Sequence, residues 1–178
     1  STVGDFLLSY KKFKEPSAIT HMFIPDLQVK PGIDLEYIRW IGEYLVKKRP
    51  DVVVNIGDMA DMPSLSSYDK GTKAAEGRRI QADIDVVVKA NSILLGPLRA
   101  LQAMQKMKGE PVYNPRLVMT LGNHENRITR HVSANPELEG FLSIDSLGYK
   151  QAGWEVVDFL KPIIIDGVAY CHYFVNVM

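Results

Sequence analysis

Hydrophobic positions along this chain fall into two rhythms, short apolar runs and longer stretches with a helical repeat. Residues Ala18 to Ile24 alternate loosely and hold β-branched and aromatic types, which predicts a strand ending at Pro25-Asp26. After a loop from Leu27 to Gly32, Leu35, Ile38, Ile41 and Leu45 recur at helical spacing, with Asp34 placed to cap the helix and Glu36 in its first turn. Lys47, Lys48 and Arg49 suit the negative C-terminal end of the helix dipole, and Pro50 stops the helix. Val52 to Ile56 is an apolar run broken only by Asn55, the pattern of a strand covered on both faces. The first unit is therefore strand, helix, strand.

A polar loop through Gly71 leads into a long helical pattern from about Ala74 to Met107, with Ile80, Ile84, Val87, Val88, Leu94, Leu98 and Leu101 on one side. Gly96-Pro97 predicts a kink or a break in it. Arg116 to Leu121 reads as another buried strand, and Asn123 to Val132 has helical composition. Trp154 to Phe159, Pro162 to Ile165 and Val168 to Phe174 are short β segments, the last two joined by the turn signal Asp166-Gly167. This alternation predicts an α/β fold with a mixed sheet in a single domain, residues 1–178. The stretch 59–115 is its most individual part, a helical insertion that forms either a cap beside a site or a layer on the core.

Composition narrows the function classes. With 46% hydrophobic and 24% charged residues in 178, the chain can bury a sizeable core. Its 21 basic residues balance 21 acidic ones, so no overall field draws it to nucleic acid or an anionic membrane, and any anionic substrate is held locally. Cys171 is the sole cysteine, which excludes an internal disulfide framework and fits a reducing cytoplasm. No apolar run approaches the roughly 18 residues of a membrane helix, and Ser1 to Lys14 lacks the form of a signal peptide.

The chemistry-bearing residues sit at the ends of predicted buried strands, the edge where open α/β sheets build their sites. The first strand ends in Asp26-Leu27-Gln28, the second in Gly57-Asp58-Met59-Ala60-Asp61, and the third in Gly122-Asn123-His124-Glu125; the last contains His172. Singly, each has a plain alternative. An aspartate after a strand is usually a turn former or helix cap, Asn123 is a good N-cap, and His172 between tyrosines suits a hydrogen-bonded core position. Together they bring oxygen and imidazole donors to one edge, a set that accepts divalent manganese, iron or zinc.

The series Asp26-x-Gln28, Gly57-Asp58-x-x-Asp61, Gly122-Asn123-His124-Glu125 and His172 resembles the signature of the calcineurin-like metallophosphoesterases. That family's blocks are Asp-x-His, Gly-Asp, Gly-Asn-His-Asp/Glu, a lone His and a final Gly-His-x-His. The resemblance implies a two-sheet sandwich flanked by helices (αββα), with the second sheet incomplete here. It implies a hydrolase of phosphate monoesters or diesters that uses two divalent metal ions, manganese first, with iron, zinc or magnesium as alternatives. Asp26 and Gln28 would bind one ion, Asn123 and His172 the other, and Asp58 both. Near the substrate phosphate His124 would serve as the catalytic imidazole, with Glu125 orienting it. Two ions about 3.5 to 4 Å apart acidify a bridging water, which attacks as hydroxide, and offset charge on the attacking and leaving oxygens. Arg127 and Arg130, close behind the quartet, are candidates for holding the phosphate as bidentate donors, with a solvated helix face as the alternative.

Two departures from the family pattern stand out. Gln28 replaces a histidine, which shifts metal preference towards manganese or magnesium. No Gly-His-x-His occurs, and the apolar end from Phe174 to Met178 reads as a strand cut short, so a fragment of a longer enzyme is expected. The loop Asp26 to Gly32 and Gly122 to Arg127 are also similar to metallophosphoesterases of bacteriophages and prophages, which implies a host-cytoplasmic protein acting on a nucleotide or nucleic acid. The rival reading is a non-catalytic assembly module that keeps the fold but lacks a complete metal pair. His21, His131, Lys30 and Tyr68 are read as structural or exposed.

Overall fold

A computed structural model describes residues 18–67, 73 and 79–174. Four strands lie side by side in chain order: β1 (His21–Ile24), β2 (Val52–Asn55), β3 (Arg116–Thr120) and β4 (Glu155–Val157). Every neighbouring pair is parallel. Right-handed crossovers that always step the same way across a sheet put the connecting helices on one face. Those helices are α1 (Glu36–Lys48), α2 (Ile80–Lys108), α3 (Asn126–Ala134) and the short α4 (Tyr149–Ala152).

Strand periodicity then divides the core in two. Ile24, Val53, Leu117 and Met119 point to the helical face, where they meet Ile38, Leu45, Val87, Leu94, Leu98, Ile128 and Tyr149. The alternate residues Val52, Val54 and Val118 point the other way and meet Ile165. Ile165 belongs to an antiparallel hairpin, β5 (Ile163–Ile165) and β6 (Val168–Tyr170). Its turn places Asp166 and Gly167 at φ 48° and 79°, the left-handed pair that an Asp-Gly hairpin turn requires. A clasp joins the hairpin to the sheet edge: the His21 ring bridges the Tyr170 hydroxyl at 2.7 Å and Asp166 Oδ2 at 3.0 Å.

Three expectations are corrected. The sheet is parallel throughout instead of mixed, because the antiparallel strands pair with each other on its second face. The long helix starts at Ile80 and runs unbroken through Gly96-Pro97 to Lys108; residues 74–78 lie outside the described set. A proline inside a helix costs about 3 kcal/mol, but Leu94, Leu95 and Leu98 are buried on either side of it and hold both halves on the core. The described part of the insertion is thus a crossover layer packed on α1, not a cap. Finally, β6 ends at Tyr170, so His172 sits in a bend beyond the strand.

Local signals did place the helix starts. Asp34 Oδ1 accepts the Glu36 N–H at 2.9 Å, closing the first turn of α1. At the opposite edge of the sheet, the Asp51 carboxylate accepts the backbone N–H and hydroxyl of Thr20 at 2.8 and 2.9 Å. These bonds, the backbone one first, hold its carboxyl below the ordinary value. A depressed folded pKa contributes stability above the unfolded value that is lost as pH falls through the folded one. The melting temperatures of wild type and Asp51→Asn are therefore expected to differ at about pH 6 and to converge towards about pH 3; a constant gap contradicts this.

Candidate metal centre

Parallel pairing brings the C-terminal ends of β1, β2 and β3 to one edge, and the loops that follow continue to pair. The N–H groups of Leu27 and Gln28 donate to the Asp58 carbonyl at 3.2 and 2.8 Å, Val29 donates to Met59 at 2.7 Å, and Asp61 donates back to Val29 at 2.9 Å. Val29, Met59 and Ala60 are fully buried beneath them. Within these loops Gln28, Asp58 and Met62 adopt left-handed backbone, φ 47°, 50° and 51°. Non-glycine residues held there cost of order 1 kcal/mol or more each and concentrate where a site dictates geometry. The third loop crosses at Gly122, where any Cβ would collide with Asp58 Oδ1 and lie 2.5 Å from its backbone nitrogen.

Asp58 is the centre of what results. Its Oδ1 accepts the His124 N–H at 2.9 Å, and its Oδ2 lies 3.4 Å from His172 Nε2. One donor atom from each of Asp26, Asp58 and His172 falls within 4.8 Å of the others. The His172 ring is oriented from behind, its Nδ1–H donating to the Ile56 carbonyl at 2.8 Å. In a neutral ring Nε2 then carries a lone pair, and it faces Asn123 Oδ1 at 2.9 Å as well as Asp58. Lone pairs aimed at one another need a cation between them, and the donor set of carboxylate, amide oxygen and imidazole suits a divalent transition metal. Asn123 therefore faces the cluster and not the helix: α3 begins three residues later without a side-chain cap. Gln28 lies at the same edge through its backbone, but its exposed amide makes no hydrogen bond among the described residues.

His124 borders this cluster, with Nε2 3.7 Å from Asp58 Oδ2. Its Nδ1 bonds the carbonyl and carboxylate of Asp61 at 2.8 and 2.9 Å. Here the expectation for Glu125 is corrected. Glu125 is wholly buried and accepts the N–H groups of Asp58, Ala60 and Gly122 at 2.9, 3.0 and 3.0 Å, and the Tyr149 hydroxyl at 2.9 Å. It ties the loops after β2 and β3 together, and the carboxylate that orients His124 is Asp61. Burial, reinforced by the Asp58 charge, raises the Glu125 pKa against the pull of its donors. Two cations surround Asp61: Lys30 Nζ lies 3.2 Å from Oδ2, and Arg127 donates to its carbonyl at 2.9 Å. Arg127 also comes within 3.4 Å of His124 Nε2, whereas Arg130 is an exposed residue one turn further along α3. Tyr68 lies outside the described residues.

No protein-family model matches the chain. It resembles two phage proteins. These are the Gene 54 protein of Mycobacterium phage D29, 32% identical over 104 residues, and the Gene 54 protein of Mycobacterium phage L5, 33% identical over 104. Each match takes in 58% of this chain and 35% of the relative, so the chain spans about a third of the curated relatives it matches. Their names state no activity.

Sequence reasoning gave Asp61 no role and took Lys30 as a surface residue. The Gly-Asp-x-x-Asp spacing held the signal for Asp61, since a residue three positions past a strand-end aspartate is still at the site edge. Nothing local marked Lys30 as its partner. Among the described residues no helix is long and apolar enough to cross a membrane.

Proposed function

We propose that this chain carries the metal-binding part of a phosphate-ester hydrolase, a metallophosphoesterase whose sandwich begins with the parallel sheet and the β5–β6 hairpin. The observation that carries the reading is the convergence of Asp26, Asp58 and His172, with the His172 lone pair directed at Asp58 and Asn123. Asp26 and Gln28 would hold one divalent ion, Asn123 and His172 a second, and Asp58 both. The ions, manganese by preference, would supply charge to attract the phosphate, acidify water and offset the developing negative oxygens. Asp61 fixes the His124 imidazole with its Nδ1 protonated, which leaves Nε2 facing the cluster to pass a proton to a leaving oxygen. Arg127 stands beside that nitrogen as a donor to the phosphate. The proposed setting is the cytoplasm of a phage host, with a nucleotide or nucleic acid as substrate.

A second reading, a binding module without a complete metal pair, is favoured by one observation: the exposed Gln28 amide is not engaged with the cluster. Calorimetric titration with manganese separates the two. The hydrolase reading expects two ions per chain, none of them retained at the bridge in Asp58→Ala, and manganese-dependent cleavage of chromogenic phosphate esters that a chelator abolishes. One ion or none, with no turnover, leaves the module.

A further inference from the structure

Arg127, Arg130 and His131 stand at positions i, i+3 and i+4 of α3 and so share one helix face. Opposite them lie Leu65 and Ser67, at and just after the 3-10 turn Pro63–Leu65. Between the two sides is a cavity of about 210 Å³ lined by these five residues. Water occupies roughly 30 Å³ per molecule in the liquid, so the space accommodates several waters or one phosphate in their place. Neither the Arg130 nor the His131 side chain pairs with a carboxylate among the described residues. Three basic groups thus line one concavity in a chain whose 21 basic and 21 acidic residues otherwise balance. The concavity is also anchored to the site, because Arg127 forms its wall while reaching His124 Nε2 and the Asp61 carbonyl.

We propose that this pocket is a second-phosphate subsite, which binds a phosphate of the substrate next to the ester undergoing cleavage. It rests on the hydrolase reading and deepens it: the substrates are compounds with at least two phosphates, a nucleic-acid strand or a nucleoside polyphosphate, in preference to simple monoesters. Arg130 supplies a planar pair of N–H donors, which suits two phosphate oxygens. His131 and the Ser67 hydroxyl close the sides.

Binding is measured by fluorescence anisotropy with a short labelled oligothymidylate, at low salt and with a chelator present, so that the outcome does not depend on metal or turnover. Wild type is expected to bind, with affinity falling as salt rises. Arg130→Ala/His131→Ala is expected to weaken binding at least tenfold, whereas Lys106→Ala/Lys108→Ala, which removes basic residues at the far end of α2, is expected to bind as wild type does. Thermal melting of both double variants establishes that they are folded, and Arg130→Lys is expected to recover part of the affinity. Displacement of the probe by thymidine triphosphate assigns the subsite to nucleoside polyphosphates; resistance to displacement assigns it to a strand. No binding by wild type, or equal losses in the two double variants, overturns the proposal. Failure of manganese-dependent ester cleavage with this binding intact would instead count against the hydrolase reading.

Discussion

Glu125→Ala is expected to lower the free energy of unfolding by about 3 to 5 kcal/mol, the range for removing one partner of a buried charged network. Alanine leaves the N–H groups of Asp58, Ala60 and Gly122 and the hydroxyl of Tyr149 buried without their acceptor, and each such orphan costs about 1 to 3 kcal/mol. Partial relaxation keeps the total below the simple sum. Glu125→Gln retains one acceptor oxygen and is expected to fall between alanine and wild type. Because two of the three amides belong to the loop that carries Asp58, manganese affinity is expected to fall along with stability. Denaturant unfolding and metal titration on the same samples check both parts; unchanged stability in Glu125→Ala removes the clamp assigned here.

His124→Ala is expected to behave in the opposite way. It leaves folding and manganese affinity near wild type, because the bond from residue 124 to Asp58 Oδ1 comes from the backbone N–H, which alanine keeps. Hydrolysis of a phosphate ester is expected to slow by roughly 10²- to 10⁴-fold, the usual contribution of a positioned acid or base. Asp61→Ala removes only the group that aligns the imidazole, and the loss expected is nearer 10- to 100-fold. Measuring kcat together with metal stoichiometry distinguishes the three variants. A His124→Ala protein that loses metal but keeps its turnover per bound ion would make the histidine a ligand-positioning residue instead.

Much of this was legible along the chain. Helix α1 followed from Leu35, Ile38, Ile41 and Leu45, β2 from an unbroken apolar run, and the hairpin turn from Asp166-Gly167. Each depends on neighbours within a few residues, where side-chain periodicity and backbone preference act directly. The position of the site was legible for a related reason: buried parallel strands run in one direction, so whatever follows them shares an edge.

Which polar group serves which partner was decided only by the tertiary structure. Glu125 is adjacent to His124 in sequence, yet successive residues point in different directions, and its carboxylate turned inward to amides 65 and 67 residues away. The imidazole found Asp61, 63 residues distant. The pairing of Val29 with Ala60, the continuity of α2 through Pro97 and the basic pocket between α3 and Ser67 likewise depend on segments that meet only once the sheet has closed. Sequence by itself determined the elements and the edge where their chemistry gathers, because those are set by local periodicity and strand direction. The assignment of ligand, clamp and orienting residue needed the fold, because a buried polar atom takes whichever partner the packed chain brings within about 3 Å.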